Sequence, residues 1–293
     1  MNGELAALGA AFLWAAATMM FGQLGQFLSP LLLNLTKGTI ASGLILLTLV
    51  LVEGPPTGLA PRPILLLILS GMVGIGLGDT AYFTAINRIG ARQALLLETL
   101  APAIAAGLAW ILLGENISLR SWTGILFTLA GVSWVISQRL SSPQTTTWQW
   151  NWGLVYGILA ALGQATGAVL SRAALAHSAI NPLWSSLLRL SGGGVLILVI
   201  LVGKGGLRNQ IKPLQNSRVL AMVGLAALLG TYLAIYLQQF ALQHSAAGIA
   251  QALTGTSPLF ILPMAAALGD RITGRTVVGV GLALVGIFLL FQP

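Results

Sequence analysis

An all-α membrane protein, with ten transmembrane helices arranged as two inverted five-helix repeats around a central cavity, is the fold that the sequence predicts. Three observations carry this expectation. Of 293 residues, 56% are hydrophobic and only 7% charged, where a soluble domain carries roughly 25% charged residues, and mean hydropathy is +0.90. The apolar runs are continuous and approach the roughly 20 residues needed to cross about 30 Å of hydrocarbon, whereas strands of a barrel alternate over about ten residues. The second half of the chain also restates, in order, a pattern of residues found in the first.

The runs place spans at approximately 4–22, 30–52, 64–86, 92–113, 120–138, 152–172, 181–202, 218–241, 246–268 and 274–291. The first begins with Glu4 and has no Lys or Arg before Lys37, so it lacks the cationic lead of a secretory signal and is expected to be a retained span. Pro30-x6-Lys37 in the second span matches Pro182-x6-Arg189 in the seventh. Ala101-Pro102 in the fourth matches Ser257-Pro258 in the ninth, and the Gly114-Glu115 corner after the fourth matches Gly269-Asp270 after the ninth. Arg120-x3-Gly124-x6-Gly131 in the fifth recurs as Arg275-x3-Gly279-x6-Gly286 in the tenth. Two repeats, 1–140 and 152–293, are thus expected on either side of a polar linker, 141–151. An odd number of spans per repeat makes the second copy enter the membrane from the opposite side, the arrangement that suits alternating access around a site near the midplane.

Charge and composition exclude several classes. The net charge of +8 and pI near 10.9 come from basic residues scattered singly between apolar runs, so they signal topology rather than nucleic-acid binding. Zero cysteines remove thiolate catalysis and cysteine-ligated metals. His177 and His244 are too isolated for a metal site, and no cofactor is expected. Gly74-x-Gly76-x-Gly78 lies within an apolar run with no strand before it, and Gly203-Lys204-Gly205-Gly206 lacks Walker spacing, so neither is a phosphate loop. Helix packing accounts for the glycines, including those of the fifth and tenth spans.

Loops after odd-numbered spans hold Arg88, Arg92, Arg139, Lys204, Arg208, Lys212, Arg218, Arg271 and Arg275, nine residues against three (Arg62, Arg120 and Arg172) after even-numbered spans. That bias places the odd-numbered loops in the cytoplasm and both termini on the outer side.

The paired Gly114-Glu115 and Gly269-Asp270 corners, each preceded by a proline-bearing span and followed by a glycine-rich one, resemble the EamA-type branch of the drug/metabolite transporter superfamily over nearly the whole chain. The resemblance implies ten helices in a basket around a cavity, a bacterial inner-membrane location, and a solute drawn from amino acids, other metabolites, nucleotide sugars or sugar phosphates, commonly exported. One departure is plain. The small four-helix multidrug relatives couple protons through a carboxylate in the first helix, where this chain has Trp14, Thr18 and Gln23.

Four ionisable residues, Lys37, Asp79, Glu98 and Arg189, fall inside spans, each at a cost of roughly 2.5–3.5 kcal/mol at a helix centre. Each should therefore face a cavity, a partner or the interface. At 1.5 Å per residue from the cytoplasmic ends, Lys37, Asp79 and Glu98 all lie roughly 9–12 Å deep, so Lys37 either pairs with Glu98 or Asp79 or bends its stem toward the headgroups. The repeat gives Arg189 no acidic partner, since Ile235 and Thr254 stand at the corresponding places. It either snorkels outward or offers its guanidinium to an anionic solute group. Pro102 and Pro258 each free one backbone carbonyl, of Glu98 and Thr254, which marks a kink or a gating point.

Tyr232, Tyr236 and Gln239 share a face of the eighth span, as do Asp79, Tyr82 and Ile86 of the third. These faces are expected to meet and, with Trp14, Gln164 and Thr254, to bind a small polar solute; the alternative role for such residues is interhelical bonding worth about 0.6 kcal/mol each. The reading is a secondary transporter, not an enzyme, that exports a small polar or zwitterionic metabolite such as an amino acid by alternating access. An exchanger of anionic metabolites such as sugar phosphates is the alternative, and a passive channel or an intramembrane enzyme is the rival class. The partners are the solute and the bilayer, with monomer or homodimer left open.

Overall fold

The computed structural model describes residues 2–52, 60–138, 152–176, 178–204, 211–267 and 274–291, without the side chains of 87, 90–93, 138, 265 and 267. The linker 141–151, the Gly269-Asp270 corner, His177, Arg139, Arg208 and Arg271 lie outside the described residues. All regular structure among the described residues is helical, and nine helices there are long and apolar enough to cross a membrane. They are Gly3–Leu24, Pro30–Val52, Pro61–Ile86, Ala94–Leu113, Leu119–Ser137, Trp152–Leu175, Pro182–Lys204, Ser217–His244 and Gly274–Phe291. The ninth of the ten spans is split into Ala247–Thr254 and Ser257–Ala267, with a break at the same place as the fourth span, where Glu98 ends one helix and Ala101 begins the next.

Local sequence explains the ends. Pro30, Pro61 and Pro182 open their helices, a position where the missing amide costs no hydrogen bond. Gly114 closes the fourth span at φ +67°, a left-handed turn that side chains disfavour. One boundary differs from expectation. A short loop at 87–91 was expected, but Thr80–Glu98 is helical throughout, so the third span runs into the first half of the fourth without a break.

Glycines dictate how the helices meet. Gly78 packs on Gly163 and Gly74 on Gly167, while the Ser70 hydroxyl donates to the Gly167 carbonyl at 2.6 Å. The third span therefore lies antiparallel on the sixth. It also rests on the seventh, where a Cβ on Gly71 would collide with the Arg189 backbone and one on Gly192 with Ile68. The eighth span repeats this arrangement against the first: Gly3, Gly9 and Ala17 approach Ala241, Leu237 and Gly230 in turn, and the Tyr232 and Thr48 hydroxyls meet at 2.9 Å on the second. Each repeat's third span is thus clasped by the first two of the other repeat.

The fifth and tenth spans close the structure. Gly124 abuts Gly286 and Gly131 abuts Gly279. Since Gly124 corresponds to Gly279 and Gly131 to Gly286, a pseudo-twofold exchanges one contact with the other, and the two helices run antiparallel. The expected packing role of these glycines and the inversion of the repeats are both observed.

Candidate functional site

The third and eighth spans share a departure from α geometry. Residues Gly71–Asp79 and Leu228–Leu233 are π-helical, at corresponding places in the two repeats. A wider helical turn misaligns backbone acceptors, and each stretch has a carbonyl taken by a side chain from another span: the Trp14 indole donates to Gly230 at 2.8 Å and the Asn34 amide to Ile75 at 3.1 Å. Trp14, expected to contact a solute, completes the backbone of the eighth span here. Sequence reading missed Asn34, which is 2% exposed; the glycine-rich run that it serves was the available signal.

Asp79, the last residue of the first π stretch, is the centre of the polar core. Its Oδ2 accepts from Lys37 Nζ at 3.1 Å and its Oδ1 from the Gln164 amide at 2.7 Å. Of the two acids expected for Lys37, Asp79 is the one paired, and the ammonium points inward rather than toward the headgroups. From Gln164 the chain of hydrogen bonds continues across the molecule. The Gln251 side-chain amide donates to the Gln164 backbone carbonyl at 3.4 Å, the Gln238 amide to Gln251 Oε1 at 3.3 Å, and Arg189 Nη1 to Gln238 Oε1 at 3.1 Å. Six spans, two from the first repeat and four from the second, are joined between the two matching cations Lys37 and Arg189. Gln238 and Gln251, 5% and 7% exposed, were not among the expected site residues.

Arg189 is 2% exposed, so it does not snorkel. Gly74 makes room for it, since a Cβ there would stand 3.3 Å from Nη2. No carboxylate lies within ion-pair distance of Arg189 among the described residues, and its Nε has no partner there. Glu98 likewise has a buried Oε2 with no partner among the described residues. Asp79 is within electrostatic reach of both, and Tyr82 lies in the field of both carboxylates. The core therefore holds two cations and two carboxylates, with one of each paired in Lys37–Asp79 and one of each left open.

The remaining expected residues serve other contacts. Gln239 accepts from the Ser185 hydroxyl at 2.6 Å. Tyr232 bonds to the second span at Thr48, and Tyr236 packs with Tyr232, Trp14 and Trp184 against Ile45 and Ile235. Tyr232 and Gln239 thus make these hydrogen bonds to the second and seventh spans. Thr254 donates to Gln251 Oε1 at 3.2 Å, and its own carbonyl, freed by Pro258, accepts from the Ser257 hydroxyl at 3.0 Å. In the first repeat Ala101 stands where Ser257 stands, so the Pro102 break lacks that hydroxyl.

Two cavities lie outside the polar core, and neither is lined by Asp79, Glu98 or Arg189. One, of about 410 Å³, lies between the third and sixth spans and is lined by Leu77, Thr80, Thr84 and Tyr156. The other, of about 570 Å³, lies at the end of the molecule where the fourth and sixth spans finish and is lined by Arg62, Glu115 and Arg172. Arg172 Nε donates to Glu115 Oε1 at 2.6 Å, and Nη1 donates to the carbonyls of Leu242 and Gln243 at 3.0 and 2.8 Å. Glu115 Oε2 accepts from the Ala247 amide at 3.0 Å. This pairing, also missed in the sequence, ties the fourth span to the sixth, eighth and ninth.

Two inverted sets of five helices, with ionisable side chains joined across their shared midline, define a polytopic membrane protein of the transporter class. The chain belongs to the EamA-like transporter family, which it matches twice, over residues 1–137 and 151–292, within the drug/metabolite transporter superfamily. Members of this family are transporters rather than enzymes. The fold is similar to that of a solved crystal structure of a protein with 17% sequence identity, at a TM-score of 0.78 over 99% of this chain and 96% of that one. No curated protein matches the sequence.

Proposed function

We propose that this transporter carries a small zwitterionic metabolite such as an amino acid by alternating access, in the direction of export. The observation that carries the reading is the pair of open groups beside Asp79: Arg189 Nε and Glu98 Oε2, both buried and both without a partner among the described residues. A buried charged group left unsatisfied costs on the order of 1–3 kcal/mol or more, so a solute presenting a carboxylate to Arg189 and an ammonium to Glu98 gains from satisfying both. A planar guanidinium suits a carboxylate in particular, through two parallel hydrogen bonds. A sugar phosphate would satisfy Arg189 but leave Glu98 Oε2 without a partner, which favours the zwitterion over the anion.

Inverted repeats supply the second half of the reading, because two alternative packings of like halves expose one midline site to each side in turn. Counterflow in proteoliposomes is the test. Vesicles loaded with an unlabelled mixture of neutral amino acids should accumulate labelled amino acid transiently, and they should fail to do so with sugar phosphates. Counterflow with sugar phosphates alone would replace this reading by the anion exchanger.

A further inference from the structure

Lys37, on the second span, occupies a small enclosure whose walls come from the first and third spans. The Phe21 ring of the first span lies with its centroid 5.3 Å from Nζ, the Phe83 ring of the third at 5.5 Å, and the Asp79 carboxylate at 3.1 Å. Phe83 and Asp79 are one helical turn apart on the same face, so backbone geometry presents ring and carboxylate together. Two aromatic faces within about 6 Å of one cation, closed by an acid, make the arrangement that recognises organic ammonium groups. A simple ion pair needs only the acid.

The enclosure is specific to this half of the molecule. The residue corresponding to Lys37 is Arg189, but Phe21, Asp79 and Phe83 correspond to Ser171, Ile235 and Gln239. Arg189 accordingly rests against glutamine and glycine instead of rings. The cage is also not sealed: the Lys37 and Asp79 side chains are 13% and 17% exposed. A lysine stem has four rotatable bonds and no rigid fork to hold it in place, so its ammonium can leave while the walls, fixed on helices, stay.

We propose that Phe21, Phe83 and Asp79 form an organic-ammonium subsite in which Lys37 is a tethered resident that a solute's cationic group displaces. The subsite goes beyond the zwitterion reading, which seats the solute between Arg189 and Glu98 and leaves the cage to Lys37. Displacement converts Lys37 from a structural counter-charge into a competitor that sets how strongly a cationic group must bind to enter.

The test empties the cage and offers it tetramethylammonium. Purified Lys37→Ala, whose truncation removes a volume close to that of the probe, is titrated with tetramethylammonium chloride against sodium chloride at equal ionic strength, with thermal stability as the readout. Tetramethylammonium should raise the Tm with an apparent Kd at least ten-fold below that for the unmodified protein, sodium should not, and Phe83→Leu in the Lys37→Ala background should weaken the effect about ten-fold. Lys37→Ser, which retains a hydroxyl for Asp79, repeats the measurement where the alanine variant is too unstable. Absence of a Tm increase in both variants overturns the subsite, as does a response that Phe83→Leu leaves unchanged, since ion pairing to Asp79 alone would then explain it. Counterflow by the unmodified protein reads the zwitterion proposal separately, so either can fail while the other stands.

Discussion

Glu115 and Arg172 form an ion pair at 2.6 Å in which each partner also finishes a helix. Arg172 takes the last carbonyls of the eighth span, from Leu242 and Gln243, and Glu115 takes the first amide of the ninth, from Ala247. Cations stabilise helix C-termini and anions stabilise N-termini, so the pair neutralises two opposed helix ends at the turn between them. Glu115→Gln should lower stability by about 1–3 kcal/mol, the cost of leaving a part-buried charged group short of a partner. The double variant Glu115→Gln, Arg172→Gln should cost less than the sum of the two singles. Thermal unfolding in detergent measures both, and additive losses would show that the two side chains act separately.

Loss of the Arg189 fork should weaken solute binding even where the charge is kept. Arg189→Lys keeps a cation but removes bidentate geometry, and solute affinity is expected to fall about ten-fold, roughly 1.4 kcal/mol, with insertion unchanged. Binding measured by thermal shift with amino acids checks this. Unaltered affinity would assign the guanidinium to the Gln238–Gln251 chain alone.

Glu98→Gln retains shape and removes charge. Normal expression together with at least a ten-fold loss of counterflow is expected if the carboxylate receives the solute's ammonium. Wild-type counterflow in this variant would make Glu98 a packing residue. A Lys37→Ala, Asp79→Asn cycle should show coupling in stability, while Lys37→Ala, Glu98→Gln should be near additive, because Lys37 bonds to Asp79.

Gly286→Val should prevent stable folding, since even a Cβ there collides with the Thr128 backbone amide, whereas Gly281→Val in the same helix meets nothing within 4 Å at its Cβ. Fluorescence-detected size-exclusion profiles of the two variants decide it. Comparable monodisperse peaks would contradict close packing of the fifth and tenth spans.

The nine-to-three distribution of Lys and Arg gives a reporter experiment. A periplasm-active reporter fused after Pro293 should be active and a cytoplasm-active one silent. The opposite result would reverse the orientation and the depths counted from it.

The spans were legible because a hydrocarbon layer imposes one length and one composition on every crossing, and the inversion was legible because the glycine and proline landmarks recur in order. Lys37 with Asp79 was one of two pairings that depth allowed; choosing between Asp79 and Glu98 required knowing which faces converge, and depth carries no azimuth. The π-helical stretches left a trace only as glycines, because their register depends on Trp14 and Asn34 arriving from distant parts of the chain. The bonds among Gln164, Gln238 and Gln251 were hidden for a related reason: helical periodicity groups residues within one span and is silent about which span lies opposite. Glu115 and Arg172 sit 57 positions apart at two different helix ends, where no periodic pattern operates.

The exchange of third spans between the repeats bears on how the protein is made. A chain threaded into the bilayer from its N-terminus delivers the first five helices before the residues that will clasp Gly71, Gly74 and Gly78 have left the ribosome. Until Gly163, Gly167 and Gly192 are synthesised, the third span keeps its small-residue faces without their eventual neighbours, and Asp79, though beside Lys37, lacks Gln164. The first half therefore waits in the membrane with those faces uncovered, and assembly can be completed only after synthesis has passed the midpoint of the polypeptide.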